Sequence, residues 1–296
     1  MQPPPQVYFI GSAIFHYLGP AFAVLLFARV DVLGVAWLRI AAAAVVFAAW
    51  RRPWHVLRIA EGRGLLIAWG AVLAVMNCSF YLAIDRLPLG TVAAIEFLPV
   101  IVLAALGART PRNAAALLVA VPGVYLLTDV QLEGEPLGVA FAFANAILFA
   151  LYIVLGHRVA QRGAAGGIDG LGASMLIATV VVTPLAGWAA APAVLDPVAL
   201  LAGVGVGISS SVIPYVCDQL AMARLTRAAY ALMVALLPAT ATVIGILVLG
   251  QVPTWVEVTG VALVVAGVAL HREPSTSEPE PVPSAPPAPR HEAARA

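Results

Sequence analysis

From about residue 7 to residue 270 the chain is a succession of long apolar runs, separated by short connections that gather Arg, Pro, Asp and Glu. A bilayer core of about 30 Å is crossed by roughly 20 residues of helix. Measured with that ruler, the runs predict ten transmembrane helices, near 7–28, 33–50, 64–84, 89–108, 113–128, 136–156, 170–190, 198–222, 228–249 and 253–270. The connections are short, so consecutive helices run antiparallel. Met1–Gln6 has three Pro, no Arg and no cleavage site after the first apolar run, so that run reads as a retained helix.

Composition strengthens this reading. Hydrophobic residues make up 62% of the 296, charged residues 10%, and the mean hydropathy is +0.97. A soluble domain carries about 25% charged residues to face water. This chain has too few to cover a globule, and the prediction is an all-α polytopic membrane protein. Arginine then orients it. With the N-terminus in the cytoplasm, the inner connections hold Arg51, Arg52, Arg58, Arg63, Arg109, Arg112, Arg158, Arg162, Arg224 and Arg227, against Arg29 and Arg86 outside. That asymmetry is the positive-inside pattern, and it places both termini in the cytoplasm and the chain in the inner (cytoplasmic) membrane. Beyond His271 the pattern stops. Seven Pro fall among Ser, Glu and Ala in residues 274–289, so 271–296 reads as a disordered cytoplasmic tail.

The same composition removes several chemistries. All sixteen basic residues are Arg. Without Lys there is no Walker A phosphate loop and no Schiff-base lysine. His16, His55, His157, His271 and His291 have no HExxH spacing, and Cys78 and Cys217 form no CxxC pair. No cofactor or metal is implied, and a net charge of +1 without a basic block gives no reason to expect nucleic acid. Any uphill work would draw on an ion gradient or a partner.

An internal repeat runs through the apolar sequence. Tyr81-Leu82-Ala83-Ile84-Asp85-Arg86-Leu87 matches Gln219-Leu220-Ala221-Met222-Ala223-Arg224-Leu225, and each is followed by an apolar helix that contains a Pro (Pro99, Pro238) and ends at a Gly (Gly107, Gly250). The halves are residues 1–135 and 136–270. Five helices per half is an odd number, so the second copy is inverted in the membrane. Inverted repeats are the architecture of secondary transporters, with the cargo site near the midplane.

The run Met76-Asn77…Phe80-Tyr81-Leu82…Leu87-Pro88-Leu89-Gly90…Glu96-Phe97…Pro99 resembles the EamA-type drug/metabolite transporter superfamily, and within it the threonine/homoserine exporter branch. Leu38-Arg39, Arg52-Pro53-Trp54 and Pro214-Tyr215…Arg224-Leu225 extend the likeness over about residues 7–270. It implies ten helices in two inverted halves and export of small amino acids or similar metabolites. One feature departs from the branch, which has a further small residue between the Glu-Phe pair and the Pro; Glu96-Phe97-Leu98-Pro99 lacks it.

Ionisable groups within spans are functional candidates by default. Three lie well inside: Arg39, Glu96 and Asp218. A carboxyl that takes up and releases a proton is what proton coupling requires, and Glu96, then Asp218, are the candidates for it. The alternative is a structural pair with Arg39. Arg39 has the planar fork that suits a cargo carboxylate, and equally suits Glu96. Helical spacing groups further polar residues on single faces: Asn77 with Tyr81, Tyr215 with Asp218 and Gln219, and Asn145 with Phe149 and Tyr152. These faces point away from lipid, either lining a substrate cavity or bonding helix to helix. His16 is a lesser candidate for moving protons, and solvation accounts for Gln251 and Glu257. The expected function is secondary export of a small amino-acid-like molecule by proton antiport, with no enzymatic activity. The same architecture could carry another cargo, such as a nucleotide sugar or a lipid-linked group. A remoter reading, an intramembrane protease, would use Gly172-Ala173-Ser174 with His157.

Overall fold

The computed structural model describes residues 5–58, 62–107, 110–132, 134–160, 167–222 and 237–270. The described residues are helical, with no strand among them. In chain order they form α1 (Pro5–Leu26), α2 (Val32–Arg51), a short α3 (Trp54–Arg58), α4 (Arg63–Ile84), α5 (Leu89–Gly107), α6 (Pro111–Leu132), α7 (Pro136–Ala160) and α8 (Gly167–Leu195). There follow α9 (Pro197–Gly207), a π-helical turn (Ile208–Val212), α10 (Ile213–Met222), α11 (Leu237–Leu249) and α12 (Trp255–Leu270). Among the described residues, five stretches are long and apolar enough to cross a membrane: Val32–Arg51, Arg63–Ile84, Pro136–Gly156, Gly167–Leu195 and Pro197–Cys217. Shorter apolar helices occupy the other expected spans, among them Ile10–Leu26, Pro111–Leu127 and Trp255–Leu270. The tail at 271–296 and the Arg224-Leu225 of the repeated motif lie outside the described residues.

Local chemistry sets several ends. Asp31 and Asp196 cap α2 and α9, their carboxylates accepting from the Leu33 and Val198 amides at 2.9 Å. The α12 start corrects the reading that solvation explains Glu257. Its carboxylate is buried and accepts from the Thr254 amide at 2.7 Å, while Thr254 Oγ1 accepts from the Glu257 amide at 3.2 Å. This reciprocal pair is a capping box, read from Thr-x-x-Glu. Gln251 is likewise engaged: its side-chain oxygen accepts from the Leu89 amide at 3.1 Å, joining the α11–α12 connection to the start of α5. Sequence reading also missed α3, a single turn and a half in what was taken as a plain connection.

Two helix pairs run antiparallel along much of their length. α2 lies along α8, pinned at one end by Trp37 Nε1 donating to Thr183 Oγ1 at 2.8 Å and at the other by Arg51 Nε to Asp169 at 2.6 Å. α6 lies along α12, with Arg112 donating to the Leu270 carbonyl at 2.7 Å. Here Gly123 and Gly260 meet backbone to backbone; a Cβ on either would fall within 3 Å of the other's carbonyl. α4 packs on α7 and α8, α9–α10 on α1 and α2, α5 on α7, and α11 on α1 and α5. The seams are lined largely by Ala and Val, the small residues that let helices approach where no water drives them together. Large apolar side chains such as Leu118, Val180, Leu201 and Leu247 face outward. Exposed Trp50 and Trp54 lie at one pair of helix ends, and Trp188 and Trp255 near others. Tryptophan collects at bilayer interfaces, so this surface is dressed for lipid.

Candidate functional site

Polar side chains converge where α1, α2, α4, α5, α7 and α10 meet. His16 and Pro20 from α1, Arg39 from α2, Asn77 from α4, Glu96 from α5, Asn145 from α7 and Tyr215 from α10 line one small cavity, with Met76, Phe80 and Phe149 as its apolar wall. The space is about 20 Å3, room for a single water. Arg39, Asn77, Glu96 and Asn145 are all buried.

Arg39 is held by a distortion in the facing helix. Pro214 has no N–H, so the carbonyl of Ser210, its partner four residues back, loses its helical donor. The backbone absorbs this in a π turn, in which the Ile213 amide reaches back to Ile208. The released Ser210 carbonyl accepts from Arg39 Nη2 at 3.1 Å, and Ser211 Oγ accepts from Nε at 2.9 Å. Behind the turn, α1 presents Gly19, where a Cβ would strike the Ser210 amide. The guanidinium also lies over the Tyr81 ring, 5.4 Å from its centre. One edge of the fork is thus fixed by protein, and a cation–π contact orients its plane.

Glu96 is held separately. Its Oε1 accepts from Asn145 Nδ2 at 3.1 Å. The ion pairs among the described residues are Arg51–Asp169, His55–Asp169 and Arg86–Asp85, and none joins Arg39 to Glu96. The structural pairing that the sequence left open is not the arrangement adopted. Asn77 donates from Nδ2 to the Leu73 carbonyl one turn back, which leaves its amide oxygen toward other groups. Beside the cavity, the buried Tyr17 hydroxyl and the Asn145 Oδ1 have no hydrogen-bond partner among the described residues.

The remaining candidates are placed as follows. His16 lies near Tyr17 and Tyr215, with ring centres 5.6 and 6.1 Å apart. Tyr152 stacks between Trp69 (5.4 Å) and Phe149 (6.3 Å), one layer behind the cavity wall. Asp218 and Gln219 lie on α10, and their side chains are outside the described residues. Ser174, weighed as a nucleophile, is fully buried on the α8 seam, where its carbonyl packs against Gly70; the His157 side chain is outside the described residues. Sequence reading missed Tyr17, Ser210 and Ser211. The signal for the serines was present, since three hydroxyl residues in a row, Ser209–Ser211, interrupt an apolar span just before a Pro.

Residues 136–272 match the EamA-like transporter family. The threonine/homoserine exporter RhtA of Salmonella typhimurium (strain LT2) is 28% identical over 268 residues, covering 88% of this chain and 90% of the exporter. RhtA of Escherichia coli (strain K12) is 29% identical over 251 residues, 84% of each chain. A solved crystal structure shares the fold with a TM-score of 0.59 at 18% identity, over 90% of this chain and 95% of the other.

Proposed function

For a chain whose residues 136–272 belong to the EamA-like transporter family, we propose secondary export of small amino acids across the cytoplasmic membrane. The observation that carries this reading is the cavity itself. It has a fixed guanidinium on one wall and a carboxyl on another, not paired with each other. A zwitterion fits such poles, its carboxylate on Arg39 and its ammonium on Glu96. Tyr215, Asn77 and Asn145 complete the lining, and Tyr81 sets the plane of Arg39 from behind. The likeness to RhtA exporters favours small hydroxylated amino acids as cargo. Glu96, lacking a cation within ion-pair distance, is the group to exchange a proton for the cargo's ammonium, with Asp218 as a second acid on the path.

The architecture in this reading has ten spans in two inverted halves, 1–135 and 136–270, with both termini in the cytoplasm. Helix pairings support it because they recur in matched sets. α4 packs on α7 and α8 as α9–α10 packs on α1 and α2; α5 packs on α7 as α11 packs on α1; and α2–α8, α5–α11 and α6–α12 pair each helix with its own counterpart. A cavity of about 20 Å3 is closed around less than an amino acid, and rocking of one half against the other would open it to either side.

Counterflow tests this reading in proteoliposomes preloaded with threonine, homoserine, other amino acids or a nucleotide sugar, with and without a pH gradient. The expected result is exchange confined to a few small amino acids and accelerated by the gradient. Exchange of the nucleotide sugar, or of none of these, would overturn the assignment of cargo.

A further inference from the structure

A second cavity lies away from the central site, on the outer wall of the bundle. It is a cleft between the C-terminal half of α1 and α9, of about 510 Å3, floored by Leu26, Ala199 and Val206 and rimmed by Phe22, Leu25 and Val198. That volume is within the range of about 300–1,000 Å3 typical of ligand sites. The rim residues are among the exposed apolar side chains of the surface that faces lipid. Ala202 and Gly205 keep the α9 wall low, and a Cβ at Gly205 would meet nothing within 4 Å. The matching seam in the other half is closed: between α4 and α7 the Trp69 ring lies against Gly156 and stacks on Tyr152.

At the cleft's end stands Arg29, in the turn that joins α1 to α2. Among the described residues its side chain makes no ion pair or hydrogen bond. The other arginine assigned to this membrane face, Arg86, is satisfied by Asp85, by the Leu82 carbonyl at 2.9 Å and by the Phe141 ring. A free cation at the interfacial end of an apolar cleft complements a molecule with a phosphate head and a hydrocarbon tail.

We propose that the α1–α9 cleft is a phospholipid site, with one acyl chain along Phe22, Leu25 and Ala202 and the phosphate on Arg29. The site needs the protein to be in a bilayer but is independent of its cargo. Its inner floor is Ser209, the residue before the Ser210–Ser211 pair that fixes Arg39, so a bound chain would buttress the turn on which the central site depends.

The full chain, in nanodiscs containing phosphatidylglycerol with a photoactivatable group on one acyl chain, provides the test. On irradiation, labelling concentrated on peptides covering residues 22–29 and 198–209, over the more exposed α6 surface at Leu118 and Tyr125, is expected. Arg29→Gln should lower that labelling about fivefold, the worth of one arginine near an anionic membrane surface. Gly205→Leu, which fills the cleft from a position with free space, should bring it down to the α6 level; Ala202→Phe repeats the test from the next turn. Inorganic phosphate should not compete. Uniform labelling of all exposed helices, undiminished labelling in both filled variants, or displacement by inorganic phosphate would each overturn the proposal.

Discussion

Arg39 and Glu96 line the same cavity but are secured by different neighbours, and the consequences of changing them differ accordingly. Arg39 presents one edge of its fork to Ser211 and the Ser210 carbonyl, and in the proposed reading the rest of the fork meets the cargo. Arg39→Lys keeps the charge but cannot hold both protein acceptors and a carboxylate in one plane. Losing a charge-assisted hydrogen bond of about 1.5–3 kcal/mol should raise KM for exchange by tenfold or more, with little change in the maximal rate. A fall in rate at unchanged KM would place Arg39 outside cargo binding. Glu96→Gln preserves an oxygen to accept from Asn145, so the fold should survive. If Glu96 carries the proton, counterflow in this variant loses its dependence on pH; unchanged dependence would shift coupling to Asp218 or elsewhere. The polar candidates were legible here because each stands out against an apolar span. Tyr17 did not stand out, because an aromatic in a membrane helix is ordinarily packing, and its place beside the cavity follows from the α1 contact alone.

Among the elements, the distortion between α9 and α10 couples sequence to site most directly. A Pro in a helix interior costs about 3 kcal/mol, yet Pro214 releases the one carbonyl that Arg39 uses. Restoring an N–H with Pro214→Ala lets the helix reclaim the Ser210 carbonyl and compete with Arg39 for it. The expected outcome is a split: a thermal midpoint in detergent equal to or above the parent's, with counterflow reduced severalfold. A parallel drop in both would make Pro214 a packing residue only. From sequence, Pro214 has nothing to set it apart from Pro99 or Pro238, which also stand inside apolar runs. Its meaning depends on which residue sits four places earlier and on what faces that residue, and the second of these is tertiary. Helix existence was legible by contrast, because apolar length is a one-dimensional property. Inward faces were not: helices apolar on every side offer no stripe to read, and only the polar residues marked them.

At the scale of the whole molecule, the proposed orientation rests on where arginines fall. Ends assigned to one side meet one another: Arg51 with Asp169, Arg112 with the end of α12, and Leu89 with Gln251. Gly64, at the start of α4, and Gly134, before α7, give probes of the two sides, because a side chain at either meets nothing within 4 Å. With Cys78 and Cys217 replaced by Ala, Gly134→Cys in intact cells should react with a membrane-impermeant maleimide, and Gly64→Cys only after the membrane is opened. The reverse pattern would invert the protein and make the cytoplasmic arginines extracellular. Labelling of both from outside would break the alternation between these two positions, and with it the equal division of the chain into inverted halves on which a midplane site between Arg39 and Glu96 depends.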